Sequence, residues 1–297
     1  DFSIILGGRI DNHNRLRTFL TPRLHVRYNP WEKAVVRFSA GRGKRSANIF
    51  AENQSLFASS RVFSILNTSG AIYGLNPEIA WNYGASFTQS FLLFGKSADV
   101  TLDWYRTDFQ NQVVVDLMQS PQQVLFYNLK GNSFANSFQI EFNYEMTKNL
   151  RLRSAYKMYD VQTDYLSGTF QKALQAKNRF FGNLEYETTS FANPKHWKFD
   201  FTYNWIGEQQ LPNTQSNPNA ERLPQFSPAY SLMNAQITRV FSSMFEVYVG
   251  GENMGNYTQP KAILGTENPF GTNFDSSIVY APIFGQMYYA GLRFKIK

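Results

Sequence analysis

The sequence predicts an all-β protein, an antiparallel transmembrane β-barrel with about 12 spanning strands. From Trp197 to Trp205, large aromatic residues alternate with charged or hydrogen-bonding residues. Only a β-strand places two alternating sets of side chains on opposite faces. Tryptophans stand at both ends of this segment and phenylalanines in its middle, as in strands that carry an aromatic girdle at each bilayer interface. The same alternation recurs in segments of about 9 to 11 residues, the length of a tilted spanning strand.

The composition favours this class over the alternatives. The 297 residues include 27 Phe, 17 Tyr and 5 Trp, yet the mean hydropathy is only −0.38. No run of about 18 apolar residues is present, so no transmembrane helix is predicted. A barrel explains both facts, because half of each strand and most of its outer loops face water. The absence of cysteine excludes disulfide scaffolds, thiolate metal sites and cysteine nucleophiles.

The formal net charge of +7 arises without any block of basic residues. We therefore predict no nucleic-acid partner. Arginines that face a water-filled lumen, or the phosphates of lipopolysaccharide, account for the charge. Outer-membrane lipid and lipopolysaccharide are the predicted surroundings.

The strands follow one another along the chain. In its first half, apolar and polar residues alternate over residues 4–11, 23–28, 36–39, 82–88, 100–104 and 138–144. In its second half they alternate over residues 150–157, 183–187, 197–205, 236–238, 245–249 and 288–296. The polar set is predicted to face the lumen, and its charged members include Arg23, His25, Arg27, Arg37, Arg151, Arg153, Asp200 and Glu246.

The connections alternate in length. Short connections are predicted at residues 29–32, 95–97, 146–149, Phe191 to Pro194, and 241–243, and long ones at residues 43–76, 111–132, 160–177, 207–228 and 253–281. Bacterial barrels have short periplasmic turns and long external loops. Both termini are therefore predicted on the periplasmic side. Two extended runs, Val113 to Leu117 and Val124 to Tyr127, form either a hairpin above the membrane or two further spanning strands.

The sequence predicts neither a catalytic residue nor a metal site, and no cofactor. Its three histidines, His13, His25 and His196, fall in an outer loop, on the lumen face and in a periplasmic turn. A serine hydrolase needs a histidine beside an acid and a nucleophile. The one local pair, Asp11 with His13, is interpreted as part of a solvated loop. The segment from Gly41 to Ser46 lacks the spacing of a phosphate-binding loop. The protein is thus not predicted to be an enzyme.

Several motifs together indicate a family. The last strand has Gly291, Phe294 and Ile296 at the spacing of the terminal-strand signal of outer-membrane proteins. Further motifs lie at residues 28–32, 37–43, 47–53, 59–61 and 251–253. With the closing strand they resemble the barrel of TonB-dependent outer-membrane receptors, particularly those of Bacteroidota. The resemblance covers nearly the whole chain.

This resemblance implies a barrel of 22 strands with an N-terminal plug domain. Residues 1–297 would be the C-terminal part of such a barrel, without the plug and the N-terminal strands. An open half-barrel leaves unpaired strand edges in lipid, so the missing half is an expected partner. The lumen-facing residues would then also contact the plug. The TonB-ExbB-ExbD complex and a surface lipoprotein are the other expected partners.

The expected function is import of a scarce, large nutrient across the outer membrane with TonB-coupled energy. The cargo would be a siderophore with iron, haem, cobalamin, or a glycan or peptide. The candidate ligand-binding residues in the outer loops are Arg45, Asn48, Phe50, Glu52, Asn53 and Tyr257, and the loop aromatics Phe57, Phe63, Tyr73 and Phe270 could also stack on a ligand. Two alternatives remain open: an independent 12-stranded outer-membrane channel or hydrolase, and a soluble carbohydrate-binding β-protein.

Overall fold

The structure, a computed structural model, describes residues 1–66, 69–188 and 195–296. The predicted turn at Phe191 to Pro194 lies outside these residues. Short 3-10 helices occupy Ala51–Ala58 and Asn219–Glu221. No helix in the described part of the chain is long and apolar enough to cross a membrane.

Strands form most of the molecule. Their bounds are β1 Phe2–His13, β2 Arg17–Tyr28, β3 Ala34–Arg45, β4 Val62–Ile65, β5 Glu78–Leu93, β6 Lys96–Asn111, β7 Val113–Asp116, β8 Gln123–Asn128, β9 Ser133–Thr147, β10 Leu150–Tyr165, β11 Gly168–Gln171, β12 Asn178–Glu187, β13 His196–Ile206, β14 Tyr230–Val240, β15 Phe245–Glu252 and β16 Met287–Phe294.

One large antiparallel sheet contains most of these strands. Across the described residues its order is β1-β2-β3-β5-β6-β9-β10-β12-β13-β14-β15-β16, and β11 pairs with β10 as a thirteenth strand. The twelve strands on this path coincide with the twelve predicted segments, so the all-β, antiparallel barrel-type fold is confirmed. The sheet is not closed in this chain: β1 and β16 are its edges. Membership in a 22-stranded barrel stays a prediction.

Several strands are longer than predicted. Strands β5, β6 and β10 each contain 16 residues and β9 contains 15, whereas spanning strands need about 9 to 11. The prediction that β10 ends before Asp160 is wrong, because its ladder with β9 continues to Thr163 and β11 pairs as far as Tyr165. In β10, backbone hydrogen bonding thus continues beyond residues 150–157, the segment in which apolar and polar side chains alternate.

The register gives the sheet two chemically different faces, because directly paired residues share a face. On one face, Leu184, Phe201 and Ala235 pair across three strands. On the other, Glu185, Asp200 and Gln236 pair across the same strands. Phe199, Phe201 and Phe294 are 39%, 40% and 59% exposed, so the aromatic face has no second protein layer over these residues.

Two glycine–tyrosine pairs lie across the last two strands, β15 and β16. Gly250 lies opposite Tyr289, and Gly291 opposite Tyr248. A Cβ atom at either glycine would overlap the facing tyrosine ring. The Tyr289 hydroxyl then donates a hydrogen bond to Gln236 Oε1, 3.0 Å away on β14. Gly291, noted above as part of the terminal-strand signal, therefore also has a packing role, since its missing side chain leaves room for an aromatic ring.

Among the described residues, the long and short connections lie at opposite ends of the sheet, as predicted, apart from the tight turns that join β1 to β2 and β10 to β11. The link between β1 and β2 is a tight turn at the long-loop end. There the backbone N–H groups of Arg15 and Leu16 donate to His13 Nδ1 at 3.1 and 3.2 Å. The predicted hairpin of residues 113–127 forms, and its strands β7 and β8 belong to a separate three-stranded sheet.

The two faces predict different tolerance to charge at adjacent positions of β13. Phe201→Arg places a cation on the aromatic face, and we expect it to cost about 2–4 kcal/mol if that face meets the bilayer core. Thr202→Arg places the same side chain on the polar face and should be tolerated. The folded fraction of each variant in cell envelopes, measured by heat-modifiable gel migration, tests this. Equal loss in both variants would contradict the assignment of the faces.

Candidate functional site

The long connections fold together at one end of the sheet. We call this assembly the loop cap; it comprises the described parts of residues 46–77, 112–132, 166–177, 207–229 and 253–286. Strand β4 pairs in parallel with β8, and β8 pairs with β7, so the first two connections share one small sheet. Buried apolar residues from both fill its interior, namely Ile49, Leu56, Leu75, Val113, Val124 and Phe126. The cap thus has a hydrophobic core of its own.

A buried ion pair joins three of these connections. Arg61 Nε lies 2.8 Å from Asp275 Oδ2, and the two side chains are only 1% and 6% exposed. Arg61 Nη1 also donates to the carbonyl oxygens of Ser120 and Gln123 at 3.2 and 3.3 Å. Asp275 Oδ1 accepts hydrogen bonds from the N–H and hydroxyl of Ser277. Both charges are therefore compensated, and the ion pair acts as a latch between the loops.

A second buried carboxylate organises the β7–β8 hairpin. Asp116 is fully buried, and its Oδ2 accepts a hydrogen bond from the Tyr127 hydroxyl at 2.8 Å. Burial, together with Asp116, raises the pKa of Tyr127 above its usual value, so the hydroxyl remains a donor. The same hydroxyl oxygen accepts from the backbone N–H of Leu166 at 3.1 Å. The hairpin is thereby tied to the connection that follows β10.

Between the cap and the polar face of the sheet lies a cavity of about 320 Å³. We call it the cap cavity. The sheet contributes Arg45, Glu78 and Thr163 to its wall, and the cap contributes charged and polar groups and an apolar side. The cap residues include Glu52, Asn53, Gln112, Lys172, Ala173 and Leu174. A site of mixed apolar and charged character that is largely preformed is the usual setting for a small ligand.

Three of the predicted ligand-binding residues line this cavity, Arg45, Glu52 and Asn53. Arg45 donates from Nη1 and Nη2 to both oxygens of Glu52, at 3.1 and 3.0 Å, and from Nε to Glu78 at 2.6 Å. Burial opposes ionisation of Glu52, but the Asn48 N–H and the Arg45 guanidinium outweigh it and lower its pKa. One arginine therefore ties the cap to strands β3 and β5.

Asn48 and Phe50 stabilise the loop itself. Asn48 Oδ1 accepts from the backbone N–H of Ala51 at 3.3 Å. The Phe50 ring packs among other loop aromatics, with its centroid 5.3 Å from that of Tyr73. Phe57 and Phe63 belong to the same cluster and stack with centroids 5.0 Å apart. Phe270, by contrast, is fully exposed.

Tyr257 lies elsewhere in the cap. Its ring stacks on Tyr230 with a centroid distance of 4.9 Å and an interplanar angle of 4°. Burial raises the pKa of Tyr257. Its hydroxyl is buried without a hydrogen-bond partner among the described residues. The structure therefore does not bring Tyr257 together with Arg45 and Glu52, and any role in ligand binding stays a prediction.

The cavity also contains residues that the sequence did not indicate, above all Glu78, Gln112 and Lys172. Glu78 lies directly opposite Arg45 in the β3–β5 register, 33 residues away in the chain. The ammonium group of Lys172 has no ion-pair partner among the described residues, and it is exposed. Neither Glu78 nor Lys172 belongs to a local motif: the β3–β5 register locates Glu78, whereas Lys172 is placed by the fold of the connection that follows β11.

The eight residues predicted to face the lumen share the polar face. Arg27 pairs with Arg37, and the ladder continues from Arg37 through Ser86 and Asp103. Arg23 and His25 occupy the same side of β2, and Arg151, Arg153, Asp200 and Glu246 occupy it on later strands. Arg151 and Arg153 line a depression of about 620 Å³ with Asp99, Glu141 and Asn143. Contact of this face with a lumen or a plug stays a prediction.

The histidines show no catalytic arrangement in the described residues. His25 is exposed on β2, and His196 is buried at the start of β13 with its Nε2 3.5 Å from Glu187 Oε2. His13 accepts backbone hydrogen bonds within its turn. In the described ranges no group of three or more His, Asp or Glu side chains is placed to bind a metal ion.

The chain is similar to known proteins in both sequence and fold. A family model described as TonB dependent receptor-like, beta-barrel, matches residues 1–254. No curated protein sequence matches the chain significantly. Among solved structures, a variant of the ferric enterobactin receptor PfeA from Pseudomonas aeruginosa is similar with a TM-score of 0.67 and 12% identity, over 99% of this chain and 42% of that one.

Two siderophore receptors from Acinetobacter baumannii are similar as well. PirA matches with a TM-score of 0.68 and 14% identity, over 99% of this chain and 43% of that one. PiuA matches with a TM-score of 0.61 and 14% identity, over 93% of this chain and 36% of that one. At such low identity these likenesses show the fold. The chain spans less than half the length of each of these structures.

The buried Arg61–Asp275 ion pair predicts how the loop cap responds when one of the two charges is removed. Asp275→Asn leaves Arg61 buried without a counter-charge, and we expect a loss of about 3–5 kcal/mol in the free energy of cap opening. Hydrogen–deuterium exchange of residues 59–65 and 272–277 should accelerate accordingly. Asp11→Asn breaks the exposed ion pair between Arg9 and Asp11. This variant should change the free energy of cap opening by less than about 1 kcal/mol. Unchanged exchange in Asp275→Asn would show that the ion pair does not hold the loops.

Proposed function

Because the chain belongs to the TonB-dependent receptor-like β-barrel family, we propose that it forms part of an outer-membrane receptor that binds a nutrient and imports it. The observation that carries this proposal is the contrast between the two faces of the sheet, with the loop cap over the polar face. An exposed apolar face suits hydrocarbon, and a polar face suits a hydrated lumen. The fold of three siderophore receptors is consistent with this reading.

The membrane location is supported by backbone pairing. In a bilayer core every backbone N–H and C=O group needs a protein partner. Antiparallel ladders supply such partners for each strand between β1 and β16. The two edge strands lack a neighbour on one side, and further strands of the same receptor would satisfy them. The remaining strands and an N-terminal plug are therefore part of the proposal, and a 22-stranded barrel would accommodate them.

The cap cavity is the proposed place of ligand capture in this part of the receptor. Its apolar wall and the charged groups of Arg45, Glu52, Glu78 and Lys172 would contact a cargo that has both ring systems and ionised groups. A ferric siderophore fits this description, as do haem and cobalamin. The names of the similar structures support siderophores among these.

Membership in this family supports a proposal for the energy source of import and for the protein partners. TonB, acting with ExbB and ExbD, would displace the plug and open a path along the polar face, where Arg23, His25, Arg27, Arg37, Arg151, Arg153, Asp200 and Glu246 lie. A Bacteroidota-type receptor with a surface lipoprotein is the more specific form of this proposal. It is supported by the motifs at residues 28–32 and 47–53.

A substitution that fills the cap cavity tests the capture site. Ala173 lines the cavity, and Ala173→Trp would occupy space that a ligand needs. We expect the affinity of the full-length receptor to fall at least about tenfold, or about 1.4 kcal/mol. Equilibrium binding of ferric enterobactin, haem and cobalamin to cells that express the receptor measures this change.

The matched control is Leu166→Trp, which adds the same ring in the same connection at a residue that is 48% exposed. This variant should bind like the unmodified receptor. If a compound binds the unmodified receptor and Ala173→Trp with equal affinity, the cargo is captured elsewhere.

A further inference from the structure

The aromatic face of the sheet carries an arginine, Arg239, at its short-turn end. Arg239, near the end of β14, pairs with Trp197 on β13 and Val247 on β15, and Val247 pairs with Leu292 on β16. These partners belong to the apolar face. Its guanidinium carbon lies 5.1 Å from the centroid of the Trp197 ring and 5.7 Å from that of Phe241. A cation is thus held between two aromatic rings on the side of the sheet that carries few charges.

No side-chain carboxylate neutralises this cation. Every Asp and Glu side chain of the protein lies in the described ranges, since residues 67–68, 189–194 and 297 include neither. None of the ion pairs among the described residues involves Arg239, and its guanidinium N–H groups donate no hydrogen bond to a described acceptor. Arg293 and Arg9 differ in this respect, because each is paired with a carboxylate. Arg239 therefore has donors available for an external anion.

The position of Arg239 indicates what this anion is. Trp197, Phe241 and Leu292 are 42%, 45% and 68% exposed, so the surroundings are apolar and uncovered. Arg239 is one residue from the end of β14, beside the short turn that leads to β15. An arginine at the bilayer midplane costs about 2–4 kcal/mol, and the cost falls to about 0–1 kcal/mol near the interface. The aromatic rings and the short turn place Arg239 at that interface.

We infer that Arg239, with Trp197 and Phe241, binds the phosphodiester group of an anionic phospholipid in the periplasmic leaflet. The planar guanidinium presents a fork of N–H donors that matches phosphate oxygens, and stacking on the rings fixes its orientation. The exposed apolar residues beside it contact the acyl chains. This inference rests on the proposed membrane location and is independent of the transported ligand.

Lipid retention tests the site directly. The full-length receptor is reconstituted in nanodiscs that contain phosphatidylcholine with an equal amount of phosphatidylglycerol, and bound lipids are counted by native mass spectrometry. We expect the unmodified receptor to retain phosphatidylglycerol preferentially. Arg239→Gln should lower this preference about fivefold, which corresponds to about 1 kcal/mol. Arg239→Lys keeps the charge without the fork and should lie between the two.

The matched control removes an arginine from the opposite face. Arg153 also lacks an ion-pair partner among the described residues but occupies the polar face of β10. Arg153→Gln should therefore retain phosphatidylglycerol like the unmodified receptor. Inorganic phosphate in excess should not displace the lipid, because the acyl chains contribute to binding; displacement would indicate a site for free phosphate and overturn the lipid assignment.

Three further results would overturn the inference. One is an unmodified receptor without preference for phosphatidylglycerol. Another is an equal loss in Arg153→Gln and Arg239→Gln, which would indicate a general effect of net charge. The third is unchanged retention in Arg239→Gln. Heat-modifiable gel migration identifies variants that have not folded, and if Arg239→Gln is among them, Arg239→Lys must still show reduced preference. None of these results depends on nutrient uptake, so this inference can fail while the proposed function holds.

Discussion

Pairing of backbone N–H and C=O groups between neighbouring strands is the constraint on which the rest of the structure depends. It requires extended strands, and extended strands separate alternate side chains onto two faces. The aromatic residues of β13 therefore share one face with Ile237 and Leu292, while Asp200 shares the other with Glu185 and Gln236. The contrast between the two faces, and the position of Arg239 beside Trp197 on the aromatic face, are both consequences of that separation.

The loop cap is stabilised by different interactions from those of the sheet that supports it. Its strands are short, and its stability derives from a buried apolar cluster around Val124 and Phe126 and from compensated buried charges. Arg61 serves three connections at once, because one guanidinium reaches Asp275 and two carbonyl groups. Arg45 has the corresponding role at the border between cap and sheet. The Arg45–Glu52 pair, which lines the cap cavity, thus holds the cap against the sheet at that point.

The sequence indicated twelve of the thirteen sheet strands in the described residues, all but β11, because period-2 alternation is a local signal that is visible within a segment such as Trp197 to Trp205. It also indicated the β7–β8 hairpin, whose two apolar runs are close in the chain. It did not indicate the parallel pairing of β4 with β8 or the Arg61–Asp275 ion pair, whose members are 214 residues apart. Such contacts depend on how separate loops pack. Arg45 and Glu52 were predicted together since they are neighbours in the chain, whereas Glu78 required the register.

The central claim, that one face of the sheet meets lipid and the other water, is tested most directly by labelling successive positions of β13. The chain has no cysteine, so single cysteines with nitroxide labels can be introduced from Phe199 to Tyr203 in the reconstituted full-length receptor. Collision with oxygen dissolved in the bilayer should be high at Phe199, Phe201 and Tyr203. Collision with a water-soluble nickel chelate should be high at Asp200 and Thr202. Accessibility that does not alternate with period 2, or that alternates in the opposite phase, would contradict the account.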